Sequence, residues 1–318
     1  MLLTLRHFGV SFYDMDQLQI AVGSAARTVL CDAFAHARSS IDAEFFSISD
    51  PSIIASLNDA AARKVHVRLH VEAHPDRYQK RSGRAQAADH VKSSKSIAET
   101  LRREFASDVD IVLEDHPDEL MHAKAAVVDE TTAYVSTANP TWSSFANPGE
   151  AVVTDALASD VKAVQAAIEH EPRPSSQYVV IGPSQTLREQ VMELFHSQHD
   201  LRVASEDLSD RLVVDQLLER QALGHHDRIL VGDRSSAAQK RSVTWLRHAG
   251  VQVRSIASGY MHEKYVDTGD ELYVGSANLT RNGLDEAHEV GVVAPTAALP
   301  RGAQTLRDDF DANWSRAV

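Results

Sequence analysis

A single cysteine, Cys31, in 318 residues excludes an intramolecular disulfide and fits a reducing compartment. It falls in the helical pattern VLCDAFAHA, where a buried structural thiol is expected in place of a nucleophile. Long apolar runs are missing as well. None approaches the roughly 20 residues needed to cross a bilayer, so no integral membrane segment is expected. The opening MLLTLRHFGVSFYD lacks a basic start followed by a sustained apolar stretch and a small-residue cleavage site, and a cytoplasmic location is the expectation. Positive charge is in deficit, with 32 Lys and Arg against 45 Asp and Glu and a net charge of -13. That balance excludes a general nucleic-acid sponge with a basic surface, although a few cations in one cleft suffice to draw in a phosphodiester. The rest, 43% hydrophobic and 24% charged, is an ordinary globular composition with chain enough for two core-bearing units.

What the chain does contain is one stretch written twice. Met121 to Glu150 reads MHAKAAVVDETTAYVSTANPTWSSFANPGE, and Met261 to Glu289 reads MHEKYVDTGDELYVGSANLTRNGLDEAHE. In the first, His122, Lys124, Asn139 and Glu150 are separated by two, fifteen and eleven positions. In the second, His262, Lys264, Asn278 and Glu289 are separated by two, fourteen and eleven. A lone His-x-Lys in a strand is most often a surface pair, but two copies that share all four positions point to chemistry. On an extended strand the histidine and lysine fall on one face, because alternate residues point the same way. The imidazole can then attack or protonate while the ammonium holds a non-bridging phosphate oxygen. An asparagine after a small-residue turn can donate to the same oxygens, and a downstream glutamate can accept from the far ring nitrogen and fix the tautomer. Together these four residue types suit cleavage of a phosphate ester without a metal.

The elements around the motif recur in order. Helical spacing runs over Thr28 to Arg38, Pro51 to Arg63 with Asp50 as cap, Ile97 to Phe105 and Val161 to Ile168. Strand patterns cover Ile41 to Ile48, Val65 to Val71, Val109 to Leu113, His122 to Val128 and Thr132 to Ser136, with a further strand expected near Leu2 to Phe12. The second half answers with helices at Leu187 to His196, Asp210 to Arg220 and Ser242 to His248, and strands at Leu201 to Ala204, Arg228 to Val231 and Val251 to Ile256. This alternation predicts α/β layers, arranged as two similar halves. Residues 1–170 form the first, EPRPSSQ at 171–177 reads as a linker, and 178–318 form the second. Ile41 and Leu201 are 160 apart whereas His122 and His262 are 140 apart, and the difference is an insert at 74–96 present only in the first half. It carries Arg77, Lys80, Arg81 and Arg84, and reads either as a solvated loop or as a substrate-contacting flap.

These residues resemble the phospholipase D superfamily, whose signature is His-x-Lys, four residues, Asp, and then a small-residue turn with Asn. HAKAAVVD fits in full with Asp129. HEKYVDTGD departs, with Gly269 at the family's Asp position and Asp267 and Asp270 on either side. GSAN, with Ser276, fits the turn, and STAN is a looser match. The resemblance covers nearly the whole chain and implies two similar α/β/α sandwich halves with pseudo-two-fold symmetry and one active site at their interface. It implies a phosphohistidine route with His122 as nucleophile and His262 as general acid and then base. Lys124, Lys264, Asn139 and Asn278 are expected to hold the phosphoryl oxygens. Glu150 is expected to orient His122, Glu289 to orient His262, and Asp129, Asp267 and Ser276 to support the motif loops.

No cofactor is expected, and no metal either, since His225-His226 and the other histidines among the 16 show no zinc-ligand spacing. A complete site needs no oligomer, because both halves are in one chain. Three functions remain open: a phosphodiesterase on nucleic acid, favoured by the basic insert; an enzyme on phospholipid head groups, for which Trp142 and Phe145 would have to supply an apolar lip; and a non-catalytic phosphate-binding module.

Overall fold

A computed structural model describes residues 18–75, 94–116, 118–146, 149–172, 174–232, 236–256 and 261–318. The strand expected near Leu2 to Phe12 and the residues Arg77, Lys80, Arg81 and Arg84 lie outside them. The first sheet is built from β1 (Leu18–Val22), β2 (Ser40–Phe45), β3 (His66–Glu72), β4 (Val109–Glu114), β5 (Lys124–Val128), β6 (Thr132–Ser136) and β7 (Ala151–Asp155). Its spatial order is β1-β7-β6-β5-β2-β3-β4. The second uses β8 (Val179–Gly182), β9 (Arg202–Ser205), β10 (Arg228–Val231), β11 (Gln252–Ser255), β12 (Lys264–Asp267), β13 (Glu271–Gly275) and β14 (Glu289–Pro295). Read from the other edge its order is β8-β14-β13-β12-β9-β10-β11, the same path. In each sheet the three strands at one side pair in parallel and the remainder antiparallel.

Alternation along the motif strand explains how the halves join. Ala125 and Val127 of β5 face a core shared by both halves, whereas Ala126 and Val128 face a core belonging to the first half alone. On β12, Tyr265 faces the shared core and Val266 the second half's own. A period of two therefore buries both faces of each sheet, which is why these strands carry almost no polar residue between their ends. The helices Ala158–Ile168 and Pro300–Arg316 close the shared core with Val161, Val164, Leu306 and Phe310.

Helix starts are also duplicated. Asp50 accepts from the N–H groups of Ser52 and Ile53 at the head of Pro51–Ala62, and Asp210 accepts from Leu212 and Val213 at the head of Arg211–Ala222. Each cap is held by an arginine, Arg27 at 2.8 Å and Arg188 at 2.7 Å. A carboxylate at a helix N-terminus satisfies otherwise orphaned donors and favours the dipole. Cys31 is half-buried in the helix Ser24–His36 against the first-half core, and burial raises its thiol pKa, as suits an inert packing residue. Among the described residues no helix is long and apolar enough to cross a membrane.

Candidate active site between the two halves

The motif residues gather where the parallel strands end. Phe45 at the end of β2 pairs with Lys124 at the start of β5, and Ser205 at the end of β9 pairs with Lys264 at the start of β12. His122 and His262 precede their strands instead of belonging to them. His122 is fixed through its backbone, its N–H donating to the His288 carbonyl at 2.9 Å in a short parallel bridge with the other half. Lys124 and Lys264 each curl back, donating from Nζ to the carbonyls of His122 and His262.

The carboxylates are exchanged between halves, which corrects the expected pairing. Glu289, not Glu150, meets His122, with Nδ1 and Oε1 2.8 Å apart, and Glu150, not Glu289, lies 3.2 Å from His262 Nδ1. The reason is positional. Each glutamate stands at the start of the strand next to its own motif hairpin, and one face of that part of each sheet packs on the opposite half. Thr137 Oγ1 donates to Glu150 Oε2 at 2.6 Å and holds that carboxylate in place. Gly149, at φ 100°, brings the chain into Glu150 so close to Glu263 that any Cβ would overlap its carboxyl. Glu263 is buried in the shared interior, and burial, then the charges of Asp309 and Glu150, hold its pKa well above the ordinary range.

All four of His122, His262, Lys124 and Lys264 are almost fully buried, at 4%, 4%, 0% and 1% exposure. Burial lowers the His122 pKa to about 4 against the pull of Glu289, with Lys124 and Lys264 pushing the same way as burial. Burial lowers the Lys124 ammonium to about 7, Glu289 opposing and the charge of Lys264 assisting. Glu289 itself lies below its usual range: burial would raise it, but the charge and hydrogen bond of His122 and the nearby Lys124 outweigh that. At neutral pH His122 is therefore an uncharged ring with Nδ1–H on Glu289 and a lone pair on Nε2.

The two halves differ in one residue that sequence reasoning missed. Glu206 Oε2 lies 3.3 Å from His262 Nε2 and 3.6 Å from Lys264 Nζ, and accepts from Asn278 Nδ2 at 3.4 Å. Those are the donors expected to grip a phosphate, so this carboxylate sits in the anion seat of the second half. The equivalent residue in the first half is Phe46, whose ring meets His122 edge-on at 5.4 Å and lies 5.7 Å from Lys124 Nζ. The offset of 160 that holds ahead of the insert at 74–96 sets Glu206 against Phe46 and was the signal available for finding it.

Asn278 is buried, with Oδ1 accepting from the Asp207 N–H at 3.2 Å, and Asn139 is half-buried. The supporting residues stand apart from the anion seat. Asp129 accepts from the N–H groups of Arg38, Ser39 and Ser40 at 2.7–3.1 Å, tying the turn before β2 to the far end of β5. Gly269 has no side chain to do this in the second half, where the buried pair of Arg220 and Asp227 holds the turn before β9. Arg220 donates to the carbonyls of Phe195 and His199, and Asp227 accepts from Leu201 N–H at 2.8 Å. Asp267 instead anchors Arg307 of the last helix at 2.8 Å. Ser276 Oγ accepts from Val290 N–H at 3.0 Å beside Glu289. Phe145 is buried, whereas Trp142 is 63% exposed with the Arg27 guanidinium 5.1 Å from its ring centroid.

A family model described as "Cardiolipin synthase, PLD-like domain" matches residues 30–171 and 191–314. The chain belongs to the phospholipase D superfamily. Phosphatidylserine synthase from Haemophilus influenzae Rd KW20 superposes with a TM-score of 0.68 at 14% identity, over 96% of this chain and 88% of that one. Polyphosphate kinase from Porphyromonas gingivalis superposes with a TM-score of 0.60 at 16% identity over 93% of this chain, which spans 50% of that longer protein. At these identities the likeness is one of fold. No curated protein sequence shows a significant match. The α/β architecture of two similar halves expected of a phospholipase D relative is the architecture observed, and phosphoryl transfer is the chemistry of the superfamily.

Proposed function

We propose that this protein is a metal-independent phosphodiesterase that works through a phosphohistidine on His122, with nucleic acid as its substrate class. The observation that carries the reading is the crossed pair of imidazoles, each backed at Nδ1 by a glutamate of the other half and flanked by a buried lysine. His122 Nε2 attacks phosphorus while the bond to the leaving oxygen breaks, and His262 Nε2 delivers a proton to that oxygen. Water, losing its proton to His262, then attacks phosphorus, and the P–N bond to His122 breaks. Lys124, Lys264, Asn139 and Asn278 hold the non-bridging oxygens, where preorganised donors contribute most. The asymmetry of the site supports these roles. Carboxylate oxygens lie at both ring nitrogens of His262, from Glu150 and Glu206, an arrangement that accommodates a ring carrying two protons. His122 has one carboxylate and the apolar edge of Phe46, which suits a neutral nucleophile.

Nucleic acid is favoured by the exposed Trp142, three residues beyond Asn139, since a flat aromatic stacks bases without sequence preference. The test is turnover in chelator, well below the melting transition, of bis(p-nitrophenyl) phosphate, single-stranded DNA, duplex DNA, RNA and phosphatidylcholine vesicles. The expected result is cleavage of the small diester and of single strands. Turnover of phosphatidylcholine alone would replace nucleic acid by lipid, and no turnover of any substrate would leave a phosphate-binding module.

The pH profile of kcat/KM should be bell-shaped. His122 must be neutral to attack, so the rate falls as pH drops through about 4. Lys124 must be charged to hold phosphate, so the rate falls as pH rises through about 7. A bound phosphate dianion or diester stabilises the ammonium, so the alkaline limb of kcat should lie above that of kcat/KM. A kcat/KM that climbs through pH 7 to an alkaline plateau would contradict this electrostatic assignment.

A further inference from the structure

Behind His122, on the first half's side of the interface, four histidines from distant parts of the chain converge with carboxylates. His70 Nδ1 and His116 Nε2 each lie 2.6 Å from an oxygen of Glu114, and His170 Nε2 lies 3.5 Å from the same Oε2 that His116 meets. One ligand atom from each of Glu114, His116 and His170 falls within 4.8 Å of the other two. A second such trio, Glu119, His170 and His288, shares His170. The rings of His116 and His170 meet at a tilt of 42° with centroids 4.7 Å apart, and those of His170 and His288 at 38° with centroids 4.8 Å apart. His170 stands just past the helix Ala158–Ile168 at φ 53°, a left-handed conformation that non-glycine residues seldom adopt and that here turns its ring toward the others.

We propose that Glu114, His116 and His170 form a binding site for a divalent transition-metal ion, with zinc as its natural test ion, separate from the phosphate-gripping residues. Two neutral imidazoles and a carboxylate are a common ligand set for such ions, leaving a fourth position to water. Tetrahedral zinc at 2.0–2.2 Å from its ligands holds them about 3.3 Å apart. The Glu114–His170 separation of 3.5 Å already fits, and the Glu114–His116 separation of 2.6 Å opens to it by less than 1 Å of ring movement. His70, buried and bonded to the other oxygen of Glu114, is placed to orient that carboxylate, the usual part of an outer partner. Entry is open, because the side chains of His116 and His170 are 43% and 27% exposed over the buried carboxylate.

Placement gives the ion a structural task. Glu114 ends β4, His116 begins the segment that delivers His122, and His170 follows the helix that closes the shared core. His288, its ring tilted against that of His170, exchanges backbone hydrogen bonds with Leu120 and His122. An ion here would clamp the His122 segment to the rest of the first half, without touching phosphate. This inference stands whether or not the substrate assignment does.

The experiment is a titration of tag-free, metal-stripped protein with Zn2+ by calorimetry and with Co2+ by visible absorption, on wild type, His170→Asn, His116→Gln and His70→Gln. Asparagine tolerates the left-handed backbone of residue 170, so that variant removes the ligand and keeps the turn. Expected are one equivalent of Zn2+ per chain, Co2+ d–d bands of a four- or five-coordinate site, and a melting temperature raised by about 5 °C at saturating metal. His170→Asn and His116→Gln should each weaken binding more than about 100-fold, and His70→Gln by about 10-fold, as outer partners do. Absence of stoichiometric binding, or unchanged binding in both ligand variants with circular dichroism matching wild type, would overturn the proposal. If a ligand variant does not fold, the Co2+ spectrum of wild type and the His70→Gln affinity decide it alone.

Discussion

His122→Ala should lose turnover by about 10⁴-fold or more, because the proposed covalent route disappears with its nucleophile. On bis(p-nitrophenyl) phosphate it should release no initial burst of p-nitrophenolate. His262→Ala should behave differently in the first turnover. Nitrophenolate needs little help in leaving, so about one equivalent should appear quickly. The phosphohistidine should then persist for want of a base, with steady turnover down by about 10²- to 10⁴-fold. The contrast reads the asymmetry of Phe46 over His122 and Glu206 beside His262. A burst from His122→Ala and none from His262→Ala would exchange the two roles. Near-normal turnover in either variant would sink the single shared site.

The second large effect separates the two glutamates. Glu289→Gln should slow the burst by about 10³- to 10⁴-fold, the scale on which an amide in place of an orienting carboxylate misdirects an imidazole tautomer. Glu150→Gln should leave the burst near wild type and depress steady turnover, because its carboxylate lies against His262, 3.2 Å from Nδ1. Had each glutamate served the histidine of its own half, the two phenotypes would be exchanged. Burst and steady-state rates from one stopped-flow trace therefore decide which half each carboxylate serves. A general loss of packing would lower both rates together.

Much of the fold was legible because the repeat carries strong local signals. Asp50 followed by Pro51 and an apolar stripe gives the helix Pro51–Ala62, and the alternation from Val65 to Val71 gives β3, within one or two residues at each end. Elements without such signals were not read. β1 lies in a segment with no clear period, and β8 is four residues of uninterrupted apolar chain, which period alone cannot assign. The strand expected over His122 to Val128 begins at Lys124, because the exchange with His288 takes over the backbone of residue 122 before the hairpin pairing starts.

By itself the sequence determined that two α/β halves share one chain, which residue types they place at the motif, and that Asp129 has no counterpart at Gly269. Those features depend on short-range spacing and on matching one half to the other. Only the tertiary structure decided that His122 answers to Glu289, 167 positions away, and not to Glu150, 28 positions away in the same motif. It alone seated Glu206 among His262, Lys264 and Asn278 and gathered Glu114, His116 and His170. Hydrogen bonds and ligand contacts act over about 3 Å, and which side chains come that close depends on how two folded sheets meet, a relation that no spacing along the chain records.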